Sequence, residues 1–82
     1  MYMYTYSNQQ GGLMEELRNH KDQLVGMGDP ETGLIEQSYK RQKTRTHLPI
    51  GGEMTIERNN IVTTIKRLNS YKFEVNSIEM EI

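Results

Sequence analysis

Residues 12–28 read GLMEELRNHKDQLVGMG, and whether they coil into a helix decides the fold class. Leu13, Met14, Leu17, Leu24 and Val25 recur at helical spacing, with Glu15 and Glu16 in the first turn, where the helix dipole favours carboxylates. Gly26 and Gly28 lie beyond the last apolar residue, where a helix ends. The spacing predicts one amphipathic helix over 13–25. Its polar face would carry Glu15, Arg18, Asn19, Asp22 and Gln23, with His20 on the flank.

Toward the C-terminus the pattern changes. Asp29-Pro30 disfavours helix before the proline, and the flanking glycines permit positive φ, so GMGDPETG reads as a turn. From Leu34 onward the period is two. In 53–82, Asn59-Asn60, Leu68-Asn69-Ser70 and Asn76-Ser77 separate runs rich in Ile, Val, Thr, Tyr and Phe, the signature of an antiparallel meander. Loop length sets register, because a slip of one residue would move every apolar group to the wet face. A two-residue turn at Asn59-Asn60 pairs Arg58 with Ile61, Ile56 with Thr63 and Met54 with Ile65. A three-residue loop at 68–70 pairs Arg67 with Tyr71, Ile65 with Phe73 and Thr63 with Val75. A further turn at Asn76-Ser77 brings Val75 to Ile78, Phe73 to Met80 and Tyr71 to Ile82; a single strand over 71–82 with a bulge at Asn76-Ser77 would serve equally. Either way Met54, Ile56, Ile61, Ile65, Phe73, Val75, Ile78 and Met80 share one face, the seat for Leu13, Leu17 and Leu24. The expected fold is therefore α+β: one N-terminal amphipathic helix on an antiparallel meander of four to six strands. Residues 1–12 form a flexible or strand-like arm, and 13–82 one small domain.

Within that domain, 34–50 reads as a β-ribbon, apolar at its ends (Leu34, Ile35; Leu48, Ile50) and polar between. Folding near Gln42-Lys43 would pair Ile35 with Ile50, and Pro49 favours an edge. Its centre, YKRQKTRTH at 39–47, carries +4 in a chain whose net charge is −1. Residues 1–38 hold six acids against two bases and 48–82 five against four, so the cationic character is local. In a strand, Tyr39, Arg41, Lys43, Arg45 and His47 would recur on one face every ~6.6 Å, with Lys40 beside them. Such a row could meet successive phosphates while Tyr39 stacks on a base. It could equally dock on an acidic protein surface, or be a solvated hairpin whose charges discourage edge-to-edge aggregation. The acidic remainder of the chain weighs against nucleic acid outside a small footprint.

The arm MYMYTYS places Tyr2, Tyr4 and Tyr6 on one face if extended. Tyr and Met suit interface cores, and an extended arm can add to a neighbour's sheet edge; a first strand packed on its own sheet is the plainer alternative.

Several classes of chemistry are excluded or unsupported. Without Cys there are no disulfides, thiolate metal sites or cysteine nucleophiles. His20 and His47 belong to no metal motif, and His20 with Asp22, or Asp29 with Glu31, is too unspecific to make a site. GMGDPETG matches neither a phosphate loop nor a dinucleotide fingerprint. Neither cofactor nor metal is expected, and no catalytic constellation is legible, so no enzyme is expected. No signal-like start and no run of ~18 apolar residues occur, which predicts a cytoplasmic protein with no membrane partner. The function expected is that of a small macromolecule-binding protein, a regulator or inhibitor acting on another protein through the basic ribbon and the N-terminal arm. The alternatives are a nucleic-acid-binding protein using 39–47 and a structural subunit that forms a homo-oligomer.

Overall fold

Seven strands in two antiparallel sheets carry the computed structural model, which describes residues 14–80, Tyr39 by its backbone alone. The arm at 1–12 with Tyr2, Tyr4 and Tyr6, Leu13, and residues 81–82 lie outside the described residues. The first sheet runs β1 (Glu15–Arg18), β2 (Leu24–Asp29), β3 (Leu34–Tyr39), β4 (Gln42–His47). The second runs β5 (Glu53–Arg58), β6 (Ile61–Asn69), β7 (Lys72–Glu79). Every ladder joins strands adjacent in sequence, and residues 48–52 carry the chain between the sheets. Strands hold 67% of the described residues and none of these is helical, so the α+β expectation is overturned.

The predicted helix over 13–25 is instead the hairpin β1–β2. Its polar centre, Arg18 to Gln23, would leave a helix nearly two turns without an apolar group. Asn19 folds that centre into a turn: its Oδ1 accepts the N–H groups of Lys21 (2.9 Å) and Gln23 (3.1 Å), and its own N–H donates to the Gln23 carbonyl (3.0 Å). Leu17 then faces Gly26 across the ladder, with a bulge after Leu17. The glycines read as lying beyond a helix are inside β2, and the far end of the chain explains one of them. A Cβ on Gly28 would come within 2.7 Å of Phe73 Cε2, so only glycine lets that ring of the second sheet lie on β2.

The core between the sheets is Leu17, Val25 and Ile35 from the first, Leu48 from the connection, and Ile56, Ile65 and Phe73 from the second, flanked by Met54 and Val75. The β5–β6 ladder has the expected register, with Arg58 opposite Ile61 and Met54 opposite Ile65. The β6–β7 ladder is displaced by two residues from expectation. A bulge between Arg67 and Asn69 replaces the three-residue loop, so Arg67 faces Phe73 and Ile65 faces Val75. An even displacement preserves the faces, and Phe73 and Val75 still point inward. Neither the expected turn nor the expected bulge at Asn76-Ser77 exists: β7 is unbroken, so Ile78 emerges on the outer face at 67% exposure. Ser77 takes the inward position instead, and its Oγ accepts the His20 N–H at 2.9 Å, tying β7 to the β1–β2 turn.

Arg67 clamps the sheets together. Its buried guanidinium donates from Nε to the Pro30 carbonyl (2.9 Å), from Nη1 to Leu48 (2.9 Å) and from Nη2 to Glu31 (2.8 Å). Its backbone exchanges hydrogen bonds with the connection, N–H to the Gly52 carbonyl (2.9 Å) and carbonyl from the Gly51 N–H (2.7 Å). A buried cation is tolerable only when its donors are satisfied, and here they hold the β2–β3 turn and the start of the connection in place. Gly33, at φ +85°, closes the same corner; a Cβ there would collide with the Leu48 carbonyl oxygen. Leu48 N–H donates to the Gly33 carbonyl at 2.9 Å, which fixes the base of the β3–β4 hairpin.

Candidate partner-binding surface

From that fixed base the β3–β4 hairpin leaves the core. Ile35, opposite Thr46, is its last fully buried side chain; Ile50, expected to face Ile35, is outside the ladder and 60% exposed. From Glu36 to Ser38 the side chains of β3 are half-buried at most, and β4 is exposed except for a half-buried Thr46. The tip is not at Gln42-Lys43 but at Lys40-Arg41, because Tyr39 pairs with Gln42. Both tip residues have positive φ, +48° and +71°, the backbone of a two-residue turn that matches strand twist. Neither Lys nor Arg favours that region, which costs about 1 kcal/mol for a residue with a Cβ. The other two-residue turn, Asn59-Asn60 at +55° and +63°, uses a residue that tolerates it.

Register sorts the predicted site residues. Lys43, Arg45 and His47 alternate along one face of β4, opposite Ser38, Glu36 and Leu34. Tyr39, paired with Gln42, stands at the alternating position, so the ladder does not align it with that row. Lys40 and Arg41 sit in the turn. Arg45 Nε donates to Glu36 Oε2 at 2.7 Å directly across the ladder, so one of the four cations is already matched. The ribbon's other cations, Lys40, Arg41 and Lys43, lie at its tip end.

Behind the tip, Gln37, Gln42 and Thr44 look across a cleft of about 520 Å³ at Thr55 and Glu57 of β5. A smaller cleft of about 190 Å³ lies past Arg58 and Asn59, which line both. Spacing within the sequence does not disclose the larger cleft, since it forms between strands of different sheets.

A second cluster was also illegible. His20, expected on a helix flank, lies in the β1–β2 turn with Nδ1 2.5 Å from Ser77 Oγ and Nε2 3.8 Å from Glu79 Oε1, while Lys21 Nζ meets Glu79 Oε2 at 2.9 Å. The hydrogen bond and charge of Lys21 hold the Glu79 carboxyl below its ordinary 4.5. Serine, imidazole and carboxylate are in sequence, as in a nucleophilic site, but none of them lines either cleft. Ser77 Oγ is occupied by the His20 backbone as well as by its ring, and the cluster's evident work is to latch the turn onto β7. Among the described residues no three His, Asp or Glu gather to hold a metal, and no helix is long and apolar enough to cross a membrane. Asp29, considered with Glu31 as a ligand pair, is buried and accepts the Glu31 N–H at 3.0 Å, which caps its own turn.

No protein-family model, curated protein or solved structure matches this chain.

Proposed function

We propose that this chain is a small non-enzymatic protein that binds another protein stoichiometrically, as a cytoplasmic regulator or inhibitor, through the cationic end of the β3–β4 hairpin. The observation that carries this is the Lys40-Arg41 tip, two cations held at positive φ where asparagine or glycine would be cheaper. Strain of that kind persists when the side chains are wanted for something other than the turn. Arg41 and Lys43 project beyond the core, so they can meet an acidic surface without disturbing the packing. Tyr2, Tyr4 and Tyr6 of the N-terminal arm would add a second, apolar contact.

Nucleic acid is the weaker reading. The Glu36–Arg45 pair removes one cation from the row and sets a carboxylate beside the remaining ones, which a phosphate backbone would avoid. Assembly into a homo-oligomer would leave the strained tip unexplained. Affinity capture from native lysate with the wild-type chain and with Arg41→Glu/Lys43→Glu, each with and without nuclease, tests the proposal. The expected result is a protein retained by the wild type, lost with the variant and indifferent to nuclease, while both chains unfold at the same temperature. Retention by both chains, or a nuclease-sensitive partner released by ~0.5 M salt, would overturn it.

A further inference from the structure

Four polar side chains are buried among the described residues. Asn19, Asp29 and Arg67 are hydrogen-bonded, whereas the hydroxyl of Thr63, a residue 1% exposed, meets no described partner. Thr63 stands between Ile56 and Ser77 across the second sheet. Ile56 belongs to the core and Ser77 Oγ is engaged by His20, so neither neighbour serves that hydroxyl. Buried hydroxyls are stable when hydrogen-bonded, and Thr63 lines the smaller cleft, of about 190 Å³, between the β1–β2 and β5–β6 turns.

The polarity of that cleft follows from one side chain. Asn19 Oδ1 accepts the N–H groups of Lys21 and Gln23, so the other terminal atom of Asn19 is its nitrogen, which donates to Gln23 at 3.0 Å. The Gln23 atom that receives it is therefore Oε1. The two Nε2 hydrogens of Gln23, which lines the cleft, have no described acceptor. Arg58 adds a group that only donates, and among the described residues no Asp or Glu lines the cleft. Leu24, Val25 and Ile61 supply its aliphatic surface, the last two buried. About six waters would fill the volume, but each needs two to four polar partners, which the aliphatic part does not offer. Since a cavity of about 150 Å³ holds one benzene, a single amphiphilic molecule of about seven non-hydrogen atoms fits here.

We infer that this cleft binds a small carboxylate with a short branched aliphatic tail, its oxygens accepting from Thr63 Oγ1 and Gln23 Nε2 and its tail lying against Val25 and Ile61. Donors without a facing carboxylate select the charged head, and the aliphatic residues select the tail. The contributing residues come from both sheets, so occupancy ties the sheets together and raises the unfolding temperature.

The test titrates the isotope-labelled full chain with isovalerate, uncharged isovaleramide and tail-less acetate at constant ionic strength, following the Thr63 amide and the Val25 and Ile61 methyl groups. Isovalerate is expected to give saturable shifts there and a higher thermal midpoint, with isovaleramide and acetate each binding at least about tenfold more weakly. Gln23→Glu keeps an oxygen for Asn19 but sets a carboxylate in place of the N–H groups, and should cost isovalerate about tenfold in affinity. Thr63→Val should also cost about tenfold while leaving the midpoint of the free protein no lower. Equal binding of acid and amide, shifts that do not saturate, affinity unchanged in either variant, or a free-protein midpoint lowered by Thr63→Val would overturn the inference. So would contacts from Tyr2, Tyr4 or Tyr6 to Thr63 in the acid-free protein, which would give the cleft to the chain's own arm.

Discussion

The hairpins β3–β4 and β5–β6 turn on the same two-residue backbone with two positive φ angles, yet one tip is Lys40-Arg41 and the other Asn59-Asn60. The second hairpin carries buried side chains right up to its turn: Ile61, the first residue after the tip, is 3% exposed. The corresponding residue of the first, Gln42, is exposed. Where packing specifies the hairpin, the turn is made from a residue that tolerates the conformation. Where nothing packs, the turn is made from residues that resist it. Local and global preferences agree in one hairpin and conflict in the other, and such conflicts are expected where a surface serves function.

The largest effect that could break this contrast lies at the common anchor. Arg67→Met leaves three carbonyls, that of Leu48 buried and those of Pro30 and Glu31 partly so, without their donor, and should cost about 3 kcal/mol or more in urea unfolding; a loss under about 1 kcal/mol would mean that the β3–β4 base is held by something else. Next comes the pair of residues that follow the tips. Ile61→Ala should lose about 2–4 kcal/mol and Gln42→Ala no more than about 0.5, so similar losses would erase the distinction. Exchanging the tips probes the turns themselves: Lys40→Asn/Arg41→Gly should stabilise by about 1 kcal/mol, and Asn59→Lys/Asn60→Arg destabilise by a similar amount. A double-mutant cycle on Glu36 and Arg45, both on the exposed ribbon, should return a coupling of only about 0.2–1 kcal/mol.

The smallest effect lies outside both hairpins, at Glu79. Its folded pKa is depressed by Lys21, so the stability it adds is present above its ordinary 4.5 and is lost as pH falls through the lower folded value. Lys21→Ala should remove that portion of the acid sensitivity, read as a flatter thermal midpoint below about pH 5.

The same contrast explains what the sequence discloses. Asn59-Asn60 advertises its turn, and the period-two runs on either side locate β5 and β6 in register, because turn chemistry and burial point to one answer. The ribbon's existence is legible from its apolar ends, but its tip is displaced by two residues since neither Lys nor Arg marks a turn. The helix expectation over 13–25 fails for a reason no local window contains: Phe73 comes from the far end of the chain to lie on Gly28. Apolar residues at 13, 17 and 24 satisfy helical spacing, yet among the described residues of that stretch only Leu17 and Val25 enter the core, one from each side of a turn built by Asn19. Ile78 leaves its expected face, and Ser77, expected in a turn or bulge, takes the inward position, where its hydroxyl accepts the His20 N–H. For the surface, the cationic segment was visible, while the Glu36–Arg45 match and the cleft depend on which strands end their sheets.

The order of the strands also bears on how the chain reaches this state. Each ladder closes between neighbours, so the loop entropy opposing any one pairing step is small, and both sheets can zip from their own turns. What remains is a docking event across residues 48–52, in which one guanidinium has to reach three carbonyls contributed by two separate loops. Refolding of this molecule should therefore be quick by the standards of all-β proteins, with its barrier at the joining of two preformed halves.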